Sequence, residues 1–219
     1  MRIRFLQIVD FDFILRVNSI VCWKEKIIKE KLSKQDKIEL IQKTALTILK
    51  DCGDHYLTMR RVAAETDMSL SNVQYYFKNK NELYKGMLDF FLSKCSEMLN
   101  QFLEETINMD SKKRLGLLIK NSLGICNTDD NCKIIREISA IATHNTEVNE
   151  YLIKYYEIYA ENLAKVITPL TKSKKKINQS VAIMLPYIEG YSLTGPSLNV
   201  KLEKLSELIT DFVIEIIEA

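Results

Sequence analysis

Thr58–Leu83, TMRRVAAETDMSLSNVQYYFKNKNEL, decides how the rest of the chain is read. Thr58 is a side-chain acceptor directly before a helix-favouring run, Met59 to Thr66, which is the position of an N-cap. Ser69 repeats the device ahead of Leu70-Ser71-Asn72-Val73-Gln74-Tyr75. Between them, Thr66-Asp67-Met68 is too short for a loop and too polar to continue a helix. Two helices across so short a turn have the geometry of a helix-turn-helix, whose second helix enters the major groove of DNA. On that second helix Leu70, Val73 and Phe77 recur at i, i+3 and i+7 as an inner set, and Ser71, Asn72, Gln74 and Tyr75 form the outer set. Asn and Gln can bond adenine bidentately, and Ser can bond several bases. A solvated polar surface helix would carry the same spacing, so spacing alone leaves both readings open.

The run Leu70-Ser71-Asn72-Val73-Gln74-Tyr75-Tyr76-Phe77-Lys78-Asn79-Lys80-Asn81-Glu82-Leu83 resembles the signature of the tetracycline-repressor (TetR) family of transcriptional regulators. That signature is a helix-turn-helix closed by an aromatic pair plus Phe, then Lys-x-Lys-x-x-Leu opening a long helix. Gly53, Thr58 and Val62-Ala63 also sit where the family has them, and the match is dense over Ile38 to Leu92. Asp67 stands where the family's turn usually has Gly; Asp tolerates the left-handed conformation better than most residues. The resemblance implies an all-α fold, with an N-terminal three-helix DNA-binding domain over residues 35–82 and a C-terminal helical ligand-binding and dimerisation domain over 83–219. It also implies that Thr58, Tyr76 and Lys80 touch phosphate while Ser71, Asn72, Gln74 and Tyr75 approach bases.

Composition agrees with a helical chain. Of 219 residues 47% are hydrophobic and 27% charged, and only 6 Gly and 3 Pro leave little turn chemistry for a β-sandwich. The net charge of +2 is too small to imply nonspecific polyanion binding. Even Gln35 to Lys94 carries 9 Lys and Arg against 8 Asp and Glu, so DNA affinity has to come from where the cations sit. The five cysteines show no C-x-x-C and suit a reducing cytosol; a redox pair of Cys126 with Cys132 is the alternative to free thiols in helices.

Residues 1–34 do not belong to the motif. Phe5 to Trp23 is apolar but interrupted by Asp10, Asp12 and Arg16, which excludes a membrane span. Either this is an arm whose Lys24, Lys26, Lys29, Lys31 and Lys34 reach DNA phosphates, or the reading frame is over-extended and the native start lies near Leu32. The second is expected, because an apolar arm before a complete domain has no obvious partner.

The first helix of the domain should span about Lys37 to Cys52, with Ile38, Ile41, Ala45, Ile48 and Cys52 on one face and Gly53 past its end. Asn79-x-x-Glu82 reads as a capping box for the long helix, with Lys80 in its first turn. A cation there opposes the helix dipole unless an anion is near, and a DNA phosphate would supply one. The long helix carries an apolar stripe from Leu83 to Leu103, with Leu83, Met87, Phe91, Cys95, Met98 and Phe102 on it, and is the natural lever between the two domains. Further helices are expected over 111–126, 130–143, 146–167, 174–193 and 199–217.

Met184, Ile188 and Tyr191 on one of the last two helices, with Leu205, Leu208, Ile209, Phe212, Val213 and Ile216 on the other, read as an oligomer face. Pro186 and Gly190 are expected to bend the first of them or let helices cross closely. The resemblance implies a homodimer on a palindromic operator, with recognition helices about one duplex turn, ~34–36 Å, apart or a multiple of it. The family's pocket would draw on Phe91, Met98, Asn121, His144, Tyr151, Tyr155 and Tyr159, with Tyr156 beside them. The tyrosine stripe suits an aromatic or amphipathic effector, or simply packs the core. No carboxylate cluster accompanies it in the sequence, so nothing there announces a cationic ligand.

No catalytic constellation, metal-ligand cluster or cofactor motif is present, which points away from an enzyme. The expected function is a ligand-responsive, DNA-binding transcriptional regulator in the cytoplasm, more specifically a repressor. The alternative is a ligand-independent DNA-organising or interaction protein with the same head.

Overall fold

The computed structural model describes residues 32–126 and 129–219, and every α-helix or short 3-10 turn in them belongs to an all-helical fold. The arm or over-extended start expected over residues 1–31 lies outside the described residues, as do the side chains of Cys126 and Cys132. The helices are α1 Lys34–Cys52, α2 Met59–Glu65, α3 Leu70–Tyr76, α4 Lys80–Glu105, α5 Ser111–Cys126, α6 Asp129–Ala142, α7 Thr146–Ile167, α8 Lys174–Thr194 and α9 Leu202–Glu218. No helix among the described residues is long and apolar enough to cross a membrane.

Short polar side chains start most of these helices. Ser33 and Asp36 form a reciprocal capping box at α1, which therefore begins three residues before the expected Lys37. Asp110 accepts from Lys113 N at 3.0 Å, Asn145 from Val148 N at 3.2 Å, and Ser173 from Lys176 N at 3.4 Å, each satisfying an orphan donor. The last helix starts at Leu202 rather than 199, because a 3-10 turn, Gly195–Ser197, intervenes and Lys201 offers no side-chain cap.

The described chain divides into two compact units. One runs to Cys95 and adds Lys133–Leu152; the other joins Ser96–Cys132 to Ile153–Ala219. Residues 35–82 lie wholly within the first, and α4 supplies residues to both. In the first unit Ile41, Leu49, Val62, Val73, Leu83, Met87 and Phe91 are buried. In the second, α5, α8 and α9 pack together around Leu115, Ile119, Met184, Ile188 and Val213. Arg114 is buried there: its Nη2 donates to Leu103 O at 2.6 Å and its Nε to Thr106 Oγ1 at 3.0 Å, so the cation sits on the carbonyl end of α4.

Candidate nucleic-acid interface

The head is assembled by caps and one strained residue. Thr58 accepts from Arg61 N at 3.2 Å and opens α2; Ser69 accepts from Asn72 N at 3.2 Å and opens α3. Between them Thr66 folds its hydroxyl back onto Val62 O at 2.7 Å, and Asp67 takes φ 54°, the left-handed conformation that lets the chain reverse. Met68 N then bonds Ala63 O at 3.0 Å, closing the turn.

This geometry sorts the side chains of α3. Val73 is fully buried and Phe77, its C-cap, nearly so, while Leu70 is half-buried. Ser71, Gln74 and Tyr75 are exposed, Tyr75 at 73%, and Asn72 is half-buried. Tyr75 meets Tyr76 edge to face at 5.1 Å between ring centroids. Phe77 lies so close to Gly86 of α4 that a Cβ there would overlap its ring, which fixes the end of α3 on the long helix. Of the three expected phosphate residues, Thr58 is exposed, and Tyr76 and Lys80 are half-buried.

The anion beside Lys80 turns out to be the protein's own. Lys80 Nζ is 2.9 Å from Asp54 Oδ1 and donates to Asp54 O at 3.1 Å, with the Tyr84 ring 5.1 Å away. The dipole conflict at the start of α4 is thus resolved inside the chain, and it no longer argues for a phosphate there. Tyr84 donates its hydroxyl to the same Asp54 carboxylate; burial, then Asp54, pushes its phenol far above the ordinary range. Glu137 on α6 accepts from Asp54 N at 3.2 Å. None of these partners was named from the sequence, since they stand 26, 30 and 83 positions apart. Asn79 caps α4 as expected, accepting from Glu82 N at 2.9 Å, but Glu82 returns its carboxylate to Lys78 N rather than to Asn79 N.

The residues expected to form a pocket are distributed over both units. Phe91 is 1% exposed in the core of the first, and His144 is exposed in the turn after α6. Tyr151 has Lys85 Nζ 5.4 Å from its ring centroid. The hollow beside it, lined by Asn81, Lys85, Asn145 and Glu147 among others, encloses no water-sized space. In the second unit Met98 and Asn121 are half-buried, and Tyr155 contacts Tyr156 and Tyr159 at 5.4 and 6.0 Å. Tyr156 OH donates to Glu189 Oε2 at 3.0 Å, bringing a carboxylate to the tyrosines from α8. It is a single acid rather than a cluster, and it arrives from 33 positions away.

The expected oligomer face divides in the same way. Met184, Ile188, Tyr191, Leu205 and Val213 are buried within this chain's own core. Leu208 and Phe212 are 51% and 49% exposed, Ile209 and Ile216 are half-buried, and Ile183 and Leu193 of α8 are also exposed. A Cβ added at Gly190 meets nothing within 4 Å, so this glycine does not serve a close helix crossing among the described residues. Pro186 lies within α8 and is exposed.

The sequence matches no family model. It is 38% identical over 180 residues to an uncharacterised HTH-type transcriptional regulator in the dhlA 5' region of Xanthobacter autotrophicus, covering 82% of this chain and 89% of that protein. A TetR transcription regulator from Haloarcula marismortui has a TM-score of 0.67 at 21% identity, over 84% of this chain and 97% of its own. The regulator FadR from Bacillus subtilis, solved in complex with stearoyl-CoA, has a TM-score of 0.63 at 16% identity, over 80% and 97%.

Proposed function

Because this chain belongs to the TetR family of helix-turn-helix (HTH-type) transcriptional regulators, we propose that it binds a palindromic operator as a homodimer through α3 and represses transcription until a small molecule occupies its second unit. The observation that carries this reading is the sorting of α3, where Val73 and Phe77 turn inward while Ser71, Gln74 and Tyr75 are exposed. With Asn72, these are the residues that would reach base edges; Thr58, Tyr76 and Lys80 would take phosphates. Asp54 holds Lys80 in the free protein and would share or yield it to a phosphate on DNA.

Each subunit supplies one recognition helix, so a palindrome needs two. The bare apolar side chains Leu208, Phe212, Ile183 and Leu193 are the surface a second copy would cover. Effector response enters by way of α4, whose first turn holds Lys80 and whose later turns belong to the second unit. A ligand that binds one arrangement of α4 more tightly biases the heads by that difference in affinity and by nothing else. That FadR was solved in complex with stearoyl-CoA supports a ligand-responsive reading of this chain. Repressor action places the protein in the cytoplasm with the chromosome.

Selection of duplexes from a random pool, followed by mobility shift, tests the reading. Gln74→Ala should cost ~1–3 kcal/mol on the selected site and little on random DNA. Enrichment of no sequence by the wild-type protein would end it.

A further inference from the structure

Asp54 turns two acceptors towards one lysine. Lys80 Nζ lies 2.9 Å from its carboxylate Oδ1 and 3.1 Å from its backbone oxygen. The residue that seats Asp54 comes from α6: Glu137 accepts from Asp54 N at 3.2 Å. A Cβ added at the preceding Gly53 would lie 3.6 Å from the same Glu137 oxygen, so the carboxylate rests against the turn itself. Gly53 takes φ 79°, and the chain reverses there without a side chain in the way. The loop between α1 and α2 is thus fastened from one side by α6 and fastens the first turn of α4 from the other.

The hold on Lys80 is exchangeable. The side chains of Lys80 and Asp54 are 37% and 39% exposed, so an outside anion can reach the ammonium group. Tyr84, a buried ring, donates its hydroxyl to the same carboxylate, so Asp54 keeps a donor when the lysine leaves. A pair this exposed is worth little in water, and a duplex phosphate offers Lys80 the same charge that Asp54 does. Of Thr58, Tyr76 and Lys80, only the lysine is charged, so its holder governs their electrostatic share of DNA binding.

We propose that Asp54 is an internal competitor for the phosphate that Lys80 would grip, and that Glu137 is the positioning residue that keeps it in place. Every duplex has to displace Asp54 before it gains Lys80. The pair therefore lowers affinity for DNA of any sequence and leaves discrimination to α3. The inference rests on the DNA-binding reading above and adds the residues that set its strength.

Fluorescence anisotropy on the full chain, with one selected and one random duplex at the same moderate salt, tests it. Asp54→Asn removes the charge but keeps an acceptor for Tyr84, and should tighten both duplexes by about two- to fivefold. Glu137→Ala should tighten both by a smaller factor. Glu137→Gln, which can still accept from Asp54 N, should restore the wild-type affinity. In a Lys80→Met background Asp54→Asn and Glu137→Ala should lose most of their gain, a dependence that general loosening of the head would not show. Unchanged or weaker binding by Asp54→Asn, tightening of the selected duplex alone, or a gain undiminished by Lys80→Met would each overturn the competition. Wild-type affinity in Glu137→Ala would overturn the positioning role. Circular dichroism checks each fold; should Glu137→Ala not fold, Glu137→Ser, also too short to reach Asp54 N, takes its place. A wild-type protein that selects a duplex while Asp54→Asn gains nothing loses the competitor and keeps the regulator. Selection of no duplex removes both.

Discussion

The first unit is closed on itself; the second is left open in two places. In the first, Phe77 is tucked against Gly86, and Lys80, Asp54, Tyr84 and Glu137 satisfy one another. What remains exposed on α3 is polar, apart from the amphipathic Tyr75. In the second, Phe212 and Leu208 are about half exposed, and Glu189 is half-buried against the Tyr156 phenol. A reading head has to present the same side chains in the same place at every encounter, so its internal demands are met internally. A regulatory body has to respond, and it can do so only where a partner or ligand supplies something its own fold lacks.

The contrast between the two phenylalanines is open to the strongest attack. Phe77→Ala should destabilise the first unit by about 3–5 kcal/mol, seen as a lower and broader thermal transition in circular dichroism together with lost DNA binding. Phe212→Asp should leave the fold intact and shift sedimentation from dimer towards monomer, with a dissociation constant raised at least about tenfold. A dimer indifferent to Phe212→Asp would place the subunit contact elsewhere.

The contrast between the two charges is tested by smaller effects. If DNA draws Lys80 onto a phosphate, Lys80→Ala should flatten the dependence of log K on log salt by about one unit, on random and specific duplexes alike. An unchanged slope would mean that Asp54 keeps the lysine in the complex. For Glu189 the sign follows from its raised pKa. The native state holds this proton more tightly than the unfolded chain, so the associated stability is fully present below the ordinary glutamate value and is lost as pH rises through the raised one. Between about pH 4 and pH 8, Glu189→Gln should therefore gain on the wild-type protein as pH rises, by about 2–4 °C of Tm for each kcal/mol relieved. Parallel melting curves across that range would show a hydrated carboxylate.

Much of the fold was legible in the residues. Thr146 and Ile167 bound α7 as expected, and Thr58, Ser69 and Asn79 cap the helices they precede. The last helix begins three residues later than its apolar pattern suggests, because a 3-10 turn at Gly195–Ser197 precedes it and Lys201 offers no side-chain cap. Periodicity recognised the apolar residues of α8 and α9 but not who covers them. Leu205 and Val213 go to the chain's own core and Leu208 and Phe212 do not, since a helix apolar over a wide arc has two faces to bury.

By itself the sequence determined the helices, the starts that Thr58 and Ser69 cap, and the split of α3 into Val73 and Phe77 against Ser71, Gln74 and Tyr75, because caps and helical spacing act over three to seven residues. Tertiary structure alone decided which charges are answered. Asp54 meets Lys80 across 26 positions and Glu137 across 83, and Tyr156 meets Glu189 across 33. No local rule reaches so far, since a carboxylate's environment is set by the elements packed around it rather than by its neighbours in the chain.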